Sequence, residues 1–239
     1  MTTPAPFTAS AMPGSKSRVW RHLATSVALV LLGAAASPAF AQAKKAGAGA
    51  GPASGSASVA AANTNAVYAE RFSNVCAACH GANGRSDIAG TPVLAGQYSL
   101  YTITQLFLFR EGRRTNEAMV ALAKPMTDAD LRGFSDFIGT LPALPSPAPA
   151  TPPDAARMTK GQALAQQHKC MFCHGTALDG GQGVPRIGGQ KEEYLRATLH
   201  GFKSGERPGY TRAMSEALSQ VPVADLDLLA YYVANFGTR

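Results

Sequence analysis

The chain has 239 residues, 46% of them hydrophobic and 8% aromatic, which is enough for two small globular domains and excludes a fibrous or wholly disordered protein. Its formal charge is +7, but the first 41 residues hold three basic and no acidic side chains, so the remainder carries only +4. No basic stretch with interleaved aromatic residues occurs, and the composition therefore predicts no nucleic-acid partner.

Residues 1–41 have the features of a secretory signal peptide. A basic segment, "KSRVWRH", precedes the apolar stretch "LATSVALVLLGAAA", and Ala39-Phe40-Ala41 gives the small-x-small pattern of a cleavage site. We expect cleavage after Ala41 and export to the periplasm. The alternative is an uncleaved membrane anchor, because the apolar stretch is close to the lower length limit of a membrane-spanning helix.

Two segments of biased composition divide the rest of the chain. Residues 42–65 are rich in Ala, Gly and Ser and lack large apolar side chains, which predicts a flexible tether. Residues 144–156 are rich in proline, which removes backbone donors and favours an extended, semi-rigid linker. The predicted domains are residues 66–143 and 157–239.

The two predicted domains repeat one pattern. "CAACH" at 76–80 recurs as "CMFCH" at 170–174, and "PVLAGQ" at 92–97 recurs as "PRIGGQ" at 185–190. Single residues downstream also recur at matching positions, namely Tyr101 and Tyr194, Arg114 and Arg207, Met119 and Met214, and Leu131 and Leu226. Internal duplication explains this correspondence.

Both halves are predicted to be helical. Residues 97–110 and 190–203 lack proline and carry apolar residues at helical spacing. Further apolar stripes occur near the end of each half, at Leu131, Phe134, Ile138 and Leu141, and at Leu226, Leu229, Ala230 and Val233. Thr127 followed by Asp130 predicts a capped helix start. No segment alternates with period two, so we expect an all-α protein made of two tandem domains.

The repeated pentapeptide has the spacing of a covalent haem attachment site. Two cysteines at i and i+3 lie on one face of a helical turn, where each thiol can add to one vinyl group of the same haem. The next residue is a histidine, which can bind the iron. The attachment cysteines predicted in this way are Cys76, Cys79, Cys170 and Cys173, and the histidine ligands are His80 and His174. The sequence thus predicts two covalently bound haem c groups.

Three other chemistries use paired cysteines, and each leaves part of the pattern unexplained. A zinc ribbon places its cysteine pairs about 15–20 residues apart, whereas these pairs are 94 residues apart. A thioredoxin-like redox pair needs a strand–helix context that is missing here. Two structural disulfides suit an exported protein but account for neither the histidines nor the downstream methionines.

A methionine in each half is the predicted second axial ligand of the iron. Met119 follows His80 by 39 residues, and Met214 follows His174 by 40. A thioether binds iron in both oxidation states, and His/Met ligation raises the reduction potential. Met126 is an alternative in the first half. The repeat favours Met119, because only Met119 corresponds to Met214.

Other residues near these motifs have two interpretations each. The carbonyls of Pro92 and Pro185 could accept the Nδ1 proton of the ligating histidines, or the prolines could only stiffen the loops. Gln97 and Gln190 could lie near a haem propionate or cap a helix.

Two arginines and one further histidine also have more than one interpretation. Arg114 and Arg207 could pair with haem propionates or remain solvated. His200 is an alternative axial ligand in the second half.

This pattern resembles the class I c-type cytochromes, and within them the dihaem cytochrome c4 family. The resemblance covers residues 66–239 and is carried by both Cys-x-x-Cys-His motifs together with Pro92, Gly96, Gln97, Met119, Pro185, Gly189, Gln190 and Met214. It implies periplasmic, two-domain electron carriers, often associated with the inner membrane, that pass electrons from a cytochrome bc complex toward a terminal oxidase. The haems of such proteins face each other across the domain interface.

We therefore predict an electron-transfer protein with redox-protein partners and no small-molecule substrate. A six-coordinate iron has no vacant position, so substrate turnover would need a ligand to leave. One alternative is a dedicated cytochrome subunit of one particular dehydrogenase. Another is a dihaem peroxidase-type or sulfur-oxidising enzyme, which would require one domain to lose or replace its methionine ligand.

Overall fold

The computed structural model describes residues 53–207, 209 and 211–237, all of which belong to one compact unit. The predicted signal peptide and residues 42–52 of the predicted tether lie outside them. The described residues form ten α-helices and, apart from an isolated bridge between Gly181 and Val184, no β-structure. The helices are α1 (Ala53–Val75), α2 (Ala77–His80), α3 (Ser99–Arg110), α4 (Glu117–Ala123), α5 (Asp128–Thr140), α6 (Ala155–Gln167), α7 (Cys170–His174), α8 (Glu192–Ser204), α9 (Ala213–Ser219) and α10 (Val223–Ala234).

The helices form two sets of five in the same order. Helices α1 and α3 pack on α5, and α6 and α8 pack on α10 in the same way. The short helices α4 and α9 pack on α3 and α8, respectively. The predicted all-α fold with two tandem domains is confirmed, and we call α1–α5 the first domain and α6–α10 the second. The predicted helices at 97–110 and 190–203 correspond to α3 and α8.

The core of the first domain lies where α1 crosses α5. Phe72 of α1 is 1% exposed and packs with Phe134 of α5, a burial worth about 2–3 kcal/mol for one aromatic side chain. Tyr68 lies one turn earlier on α1, and its ring stands edge-on to Phe134, with centroids 5.1 Å apart. Gly133 permits this approach, since a Cβ at that position would lie 1.9 Å from the Tyr68 ring.

The core of the second domain lies where α6 crosses α10. Ala165 of α6 is fully buried against a cluster that includes Leu229 and Tyr232 of α10. Gly161, one turn before Ala165, lies against Tyr232, and a Cβ there would be 2.4 Å from that residue's Cβ. The backbones of α6 and α10 therefore approach closely at this glycine.

The last helix of each domain begins differently. Helix α5 starts with a complete capping box, in which the Thr127 side chain accepts from the Asp130 N–H and the Asp130 carboxylate accepts from the Thr127 N–H. This is the start that the sequence predicts. Helix α10 follows Pro222, which offers no side-chain acceptor.

Residues 53–65 of the predicted tether and the predicted linker lie within the part of the chain that the structure describes. Helix α1 begins at Ala53, inside the predicted tether 42–65, consistent with the high helix propensity of alanine. The proline-rich segment 144–156 is anchored to the second domain, where the Ser146 N–H donates to the Gly189 carbonyl at 2.7 Å. The domain boundaries themselves stay predictions. Within the described residues no helix is both long and apolar enough to cross a membrane.

Candidate haem centres

Both pentapeptides form short helices directly after the first long helix of their domains. In each motif the first cysteine, Cys76 or Cys170, is half-buried against the domain core, and the second, Cys79 or Cys173, is exposed. No disulfide joins any of the four cysteines, in contrast to the structural disulfides that the sequence left as an alternative. Two cysteines three residues apart on one helical turn suit attachment of one haem.

The half-buried cysteine of each motif is shifted away from the reactive thiolate form. Burial raises the pKa of Cys76 to about 11 and also raises the pKa of Cys170. A nucleophilic thiol of a redox motif needs the opposite shift, because the thiolate is the reactive form. A zinc site lacks support as well, since nowhere in the described chain do three or more His, Cys, Asp or Glu side chains converge.

The two histidines are held by equivalent hydrogen bonds. His80 Nδ1 lies 3.0 Å from the Pro92 carbonyl oxygen, and His174 Nδ1 lies 3.0 Å from the Pro185 carbonyl oxygen. A carbonyl only accepts, so each Nδ1 carries the proton and donates it. Burial lowers the pKa of both imidazoles, which keeps them neutral at pH 7. Each Nε2 therefore retains the lone pair that a metal requires.

The predicted methionine ligands occupy equivalent helices. Met119 lies in α4 and Met214 in α9, and each is half-buried against its own domain core. Asn116 accepts a hydrogen bond from the Met119 N–H and fixes the start of α4. Met126 also packs on the first core, but it lies between α4 and α5, where the second domain has no corresponding methionine. Met119 therefore stays the predicted ligand of the first domain.

His200, the alternative ligand of the second domain, contacts a carboxylate. Its Nε2 lies 2.8 Å from the Asp227 carboxylate, at the exposed surface between α8 and α10. This contact leaves Met214 as the candidate ligand in the second domain.

The backbones of the two domains meet through loops, and the side chains of Tyr101 on α3 and Tyr194 on α8 also make contact. Among the described elements no helix backbone of the first domain packs against a helix backbone of the second. The hexapeptides 92–97 and 185–190 lie against each other instead, linked by hydrogen bonds from Gln97 and Gln190. These are the loops that also supply the carbonyls for the two histidines, so the domain contact lies next to both candidate haem centres.

A buried cationic cluster lies at the same contact. Arg114 of the first domain and Arg207 of the second both donate to the Tyr194 hydroxyl, at 3.0 and 3.2 Å. Desolvation alone would raise the pKa of Tyr194, but the two guanidinium charges outweigh it and lower that pKa to about 7. Neither arginine forms an ion pair with a carboxylate of the described residues.

This cluster tests whether the residues fit a haem. Two largely buried guanidinium groups without a carboxylate partner are costly, and the propionates of a haem are anions that would pair with them. Together with the cysteine pairs, neutral histidines and half-buried methionines, the cluster fits two such groups. The fold and these centres define a two-domain c-type cytochrome.

Comparison with known proteins identifies the family. The sequence model described as "Cytochrome c" matches residues 61–142 and 158–236, one segment in each domain. The chain belongs to the cytochrome c family and, within it, to the dihaem cytochrome c4 proteins. Cytochrome c4 of Thiocapsa roseopersicina is 32% identical over 64% of this chain and 83% of its own length.

Two further proteins extend the comparison. A thiosulfate dehydrogenase electron acceptor of Thiomonas intermedia is 35% identical over 56% of this chain and 65% of its own length. The crystal structure of reduced cytochrome c4 from Pseudomonas stutzeri shares the fold, with a TM-score of 0.62 and 24% identity over 72% of this chain and 98% of that one.

Family membership confirms the main predictions. The chain is an electron-transfer protein that carries two covalently bound haem c groups, one at each Cys-x-x-Cys-His motif. The sequence analysis gave no role to Tyr194 or to its counterpart Tyr101, although the two tyrosines occupy corresponding positions in the repeat. It also missed the cross-domain partners of Gln97 and Gln190.

Proposed function

We propose that the chain passes electrons singly between redox proteins, using one haem centre in each domain. The first haem is attached through Cys76 and Cys79, and the second through Cys170 and Cys173. The proposed axial ligands are His80 and Met119 in the first domain and His174 and Met214 in the second. The observation that carries this proposal is the pair of equal hydrogen bonds from histidine Nδ1 to a prolyl carbonyl, which orients each Nε2 as a ligand.

Each part of the chain has a separate task in this proposal. When bound, the haem iron supplies the one-electron change between Fe(II) and Fe(III). Burial favours the neutral form of both histidines, and the prolyl carbonyls fix the orientation of the rings. Arg114 and Arg207 offset the negative charge of the propionates. A rigid ligand set changes little between oxidation states, which favours rapid electron transfer.

We further propose that this transfer takes place in the periplasm, in a respiratory chain. The signal-like leader supports export. The electron donor is a cytochrome bc complex or a dehydrogenase, and the acceptor is a terminal oxidase, as the resemblance to the cytochrome c4 family implies. Association with the inner membrane is part of the same expectation.

A dehydrogenase as the donor has an observation of its own in its favour. One relative, 35% identical, is named as the electron acceptor of thiosulfate dehydrogenase. Rapid mixing of the oxidised protein with quinol plus a cytochrome bc complex, or with thiosulfate plus a thiosulfate dehydrogenase, separates the two donors. The faster reduction identifies the donor, and slow reduction by both would contradict the proposed route.

A spectroscopic titration tests the ligands. In the haem-loaded protein we expect two low-spin centres with the red charge-transfer band of methionine-bound ferric iron. Met119→Ala and Met214→Ala should each remove the contribution of one centre and lower its reduction potential, whereas Met126→Ala should leave both centres intact. Loss of the band in Met126→Ala with retention in Met119→Ala would assign the ligand to Met126 instead. High-spin iron in the unmutated protein would contradict the proposal.

A further inference from the structure

The two hexapeptide loops form a reciprocal hydrogen-bond contact. Gln190 of the second domain accepts from the Val93 N–H at 2.8 Å and donates to the Val93 carbonyl at 2.9 Å. Gln97 of the first domain accepts from the Arg186 N–H at 3.1 Å and donates to the Arg186 carbonyl at 3.0 Å. Each glutamine thus binds both backbone groups of one residue in the opposite domain, and both glutamines are buried.

The orientation of each glutamine amide is fixed by its surroundings. The Gln190 Oε1 atom also accepts from the Lys191 N–H at 2.9 Å, and the Gln97 Oε1 atom accepts from the Tyr98 N–H at 3.2 Å. Each Oε1 therefore faces two backbone donors. A flipped amide would turn its own NH2 group toward both of them, so only the observed orientation is satisfied.

The residues bound by the glutamines directly follow the prolines that hold the histidines. The Pro92 carbonyl and the Val93 N–H belong to the same peptide group, as do the Pro185 carbonyl and the Arg186 N–H. One peptide group therefore accepts from His80 Nδ1 through its oxygen and donates to Gln190 through its nitrogen. The corresponding group in the second domain joins His174 to Gln97.

Hydrogen bonds that share one peptide group polarise each other. An acceptor at the N–H draws electron density toward the carbonyl oxygen, which then accepts more strongly from the histidine. A stronger bond at Nδ1 makes the imidazole a more basic ligand. A more basic ligand favours ferric over ferrous iron and so lowers the reduction potential of that centre.

We infer that Gln190 and Gln97 are positioning residues for the histidine ligand of the opposite domain, and that each domain thereby lowers the reduction potential of the other. The inference rests on the proposed role of His80 and His174 as iron ligands. It assigns to domain docking a direct effect on both haem centres, transmitted through one peptide group on each side. The half-buried Arg114–Tyr194 contact is a separate interdomain hydrogen bond that involves neither peptide group.

Methionine substitutions test the inference in the haem-loaded, full-length protein, since methionine has a similar length but does not accept strongly. In Gln190→Met we expect the Nδ1 proton of His80 to move upfield in the nuclear magnetic resonance spectrum of the reduced protein and to exchange faster. The reduced-to-oxidised ratio of the first haem at a fixed potential should rise by up to about twofold, because one bond in such a chain strengthens the next by on the order of 10–30% and a net hydrogen bond is itself modest. The His174 proton should not move.

Gln97→Met is the matched variant, and its effect should appear at His174 and the second haem only. Leu100→Ala is the control for a loosened interface, because it shortens a first-domain side chain that lies beside Gly183 of the second domain and should leave both Nδ1 protons in place. The inference would be overturned if the Nδ1 proton shifted only in the domain that carries the mutation, or equally in both domains.

The unmutated protein provides a test that does not depend on the folding of variants. Scalar coupling across the hydrogen bonds should connect the Val93 nitrogen with the Gln190 side-chain carbonyl carbon, and the Arg186 nitrogen with that of Gln97. Absence of both couplings would overturn the inference. If the ferric spectrum shows methionine-bound iron but the couplings are missing, only this inference fails, whereas an absent methionine band contradicts the proposed function itself.

Discussion

The two domains share five helices in the same order, but they build the crossing of the first and last helix in opposite ways. In the first domain the aromatic residue, Tyr68, is on the first helix and the glycine, Gly133, is on the last. In the second domain the glycine, Gly161, is on the first helix and the aromatic residue, Tyr232, is on the last. The crossing thus requires one small and one large partner, and either helix can supply each.

A tyrosine hydroxyl shows the same exchange of roles. Tyr68 on the first helix of domain one donates to the Ala129 carbonyl at the start of the last helix, at 3.0 Å. Tyr231 on the last helix of domain two accepts from the Asp154 N–H at the start of the first helix, at 2.6 Å. Both domains therefore have a hydrogen bond between a tyrosine of one of these helices and the backbone of the other, but the tyrosine is on the first helix in one domain and on the last helix in the other.

The largest effect should come from filling the glycine positions. Gly133→Ala would place a Cβ against the Tyr68 ring, and Gly161→Ala would place one against Tyr232, so each should lower the free energy of unfolding by about 3 kcal/mol through overpacking. Hydrogen exchange read by mass spectrometry would show the loss in the mutated domain first.

Gly139→Ala is the matched control for these two variants. Gly139 is exposed on α5, and a Cβ there would meet only the Ser99 hydroxyl, which can rotate away. It should raise stability by about 0.5–1 kcal/mol through helix propensity. A similar loss of stability in all three variants would show that the close approach of the helices at the crossings does not cause it.

Acid should weaken the first domain more than the second. Burial alone would raise the pKa of Asp130, but the Thr127 backbone N–H, Arg71 and the Thr127 hydroxyl together lower it to about 2. A depressed carboxyl pKa stabilises the fold above the unfolded value near pH 4, and this contribution, about 2 kcal/mol, disappears as the pH falls from about 4 to about 2.

Asp130→Asn provides the measurement for this contribution. The variant should be less stable than the unmutated protein at pH 7, and its unfolding free energy should lack the fall between pH 4 and pH 2. Denaturant unfolding at a series of pH values measures both. An unchanged slope in the variant would assign the acid sensitivity to other groups.

The difference between the two helix starts predicts a smaller effect. Thr127→Ala removes the side-chain cap of α5 and should cost about 1 kcal/mol. Pro222→Ala at the start of α10 removes no side-chain acceptor and should change stability less. Equal losses at the two positions would mean that the capping box contributes little to the first domain.

Removing the hydrogen bonds of these two tyrosines should have the smallest effect on stability. Tyr68→Phe and Tyr231→Phe each remove one hydroxyl and should each cost about 1 kcal/mol or less, because a net hydrogen bond is worth about that much. Local hydrogen exchange at the start of α5 and α6, respectively, is the sensitive measurement. If both variants lost protection from hydrogen exchange at the same helix start, the two tyrosines would not bond opposite helices in the two domains.

The sequence by itself determined the chemistry and the repeat. Cys76, Cys79 and His80 are close along the chain, so their spacing alone predicts the haem site, and the same holds for the second motif. The capping box of Thr127 and Asp130 is equally local, since it spans a single turn. Periodicity over single helices likewise predicted α3 and α8.

Only the tertiary structure decided which residues meet across the two domains. The bonds of Gln97 and Gln190 join residues 89 and 97 positions apart, and the Arg114–Tyr194 bond joins residues 80 positions apart. Such pairs form only once two folded domains dock, and docking depends on the shape of whole loops. For the same reason the repeat could not show that the crossing glycine had moved from the last helix to the first.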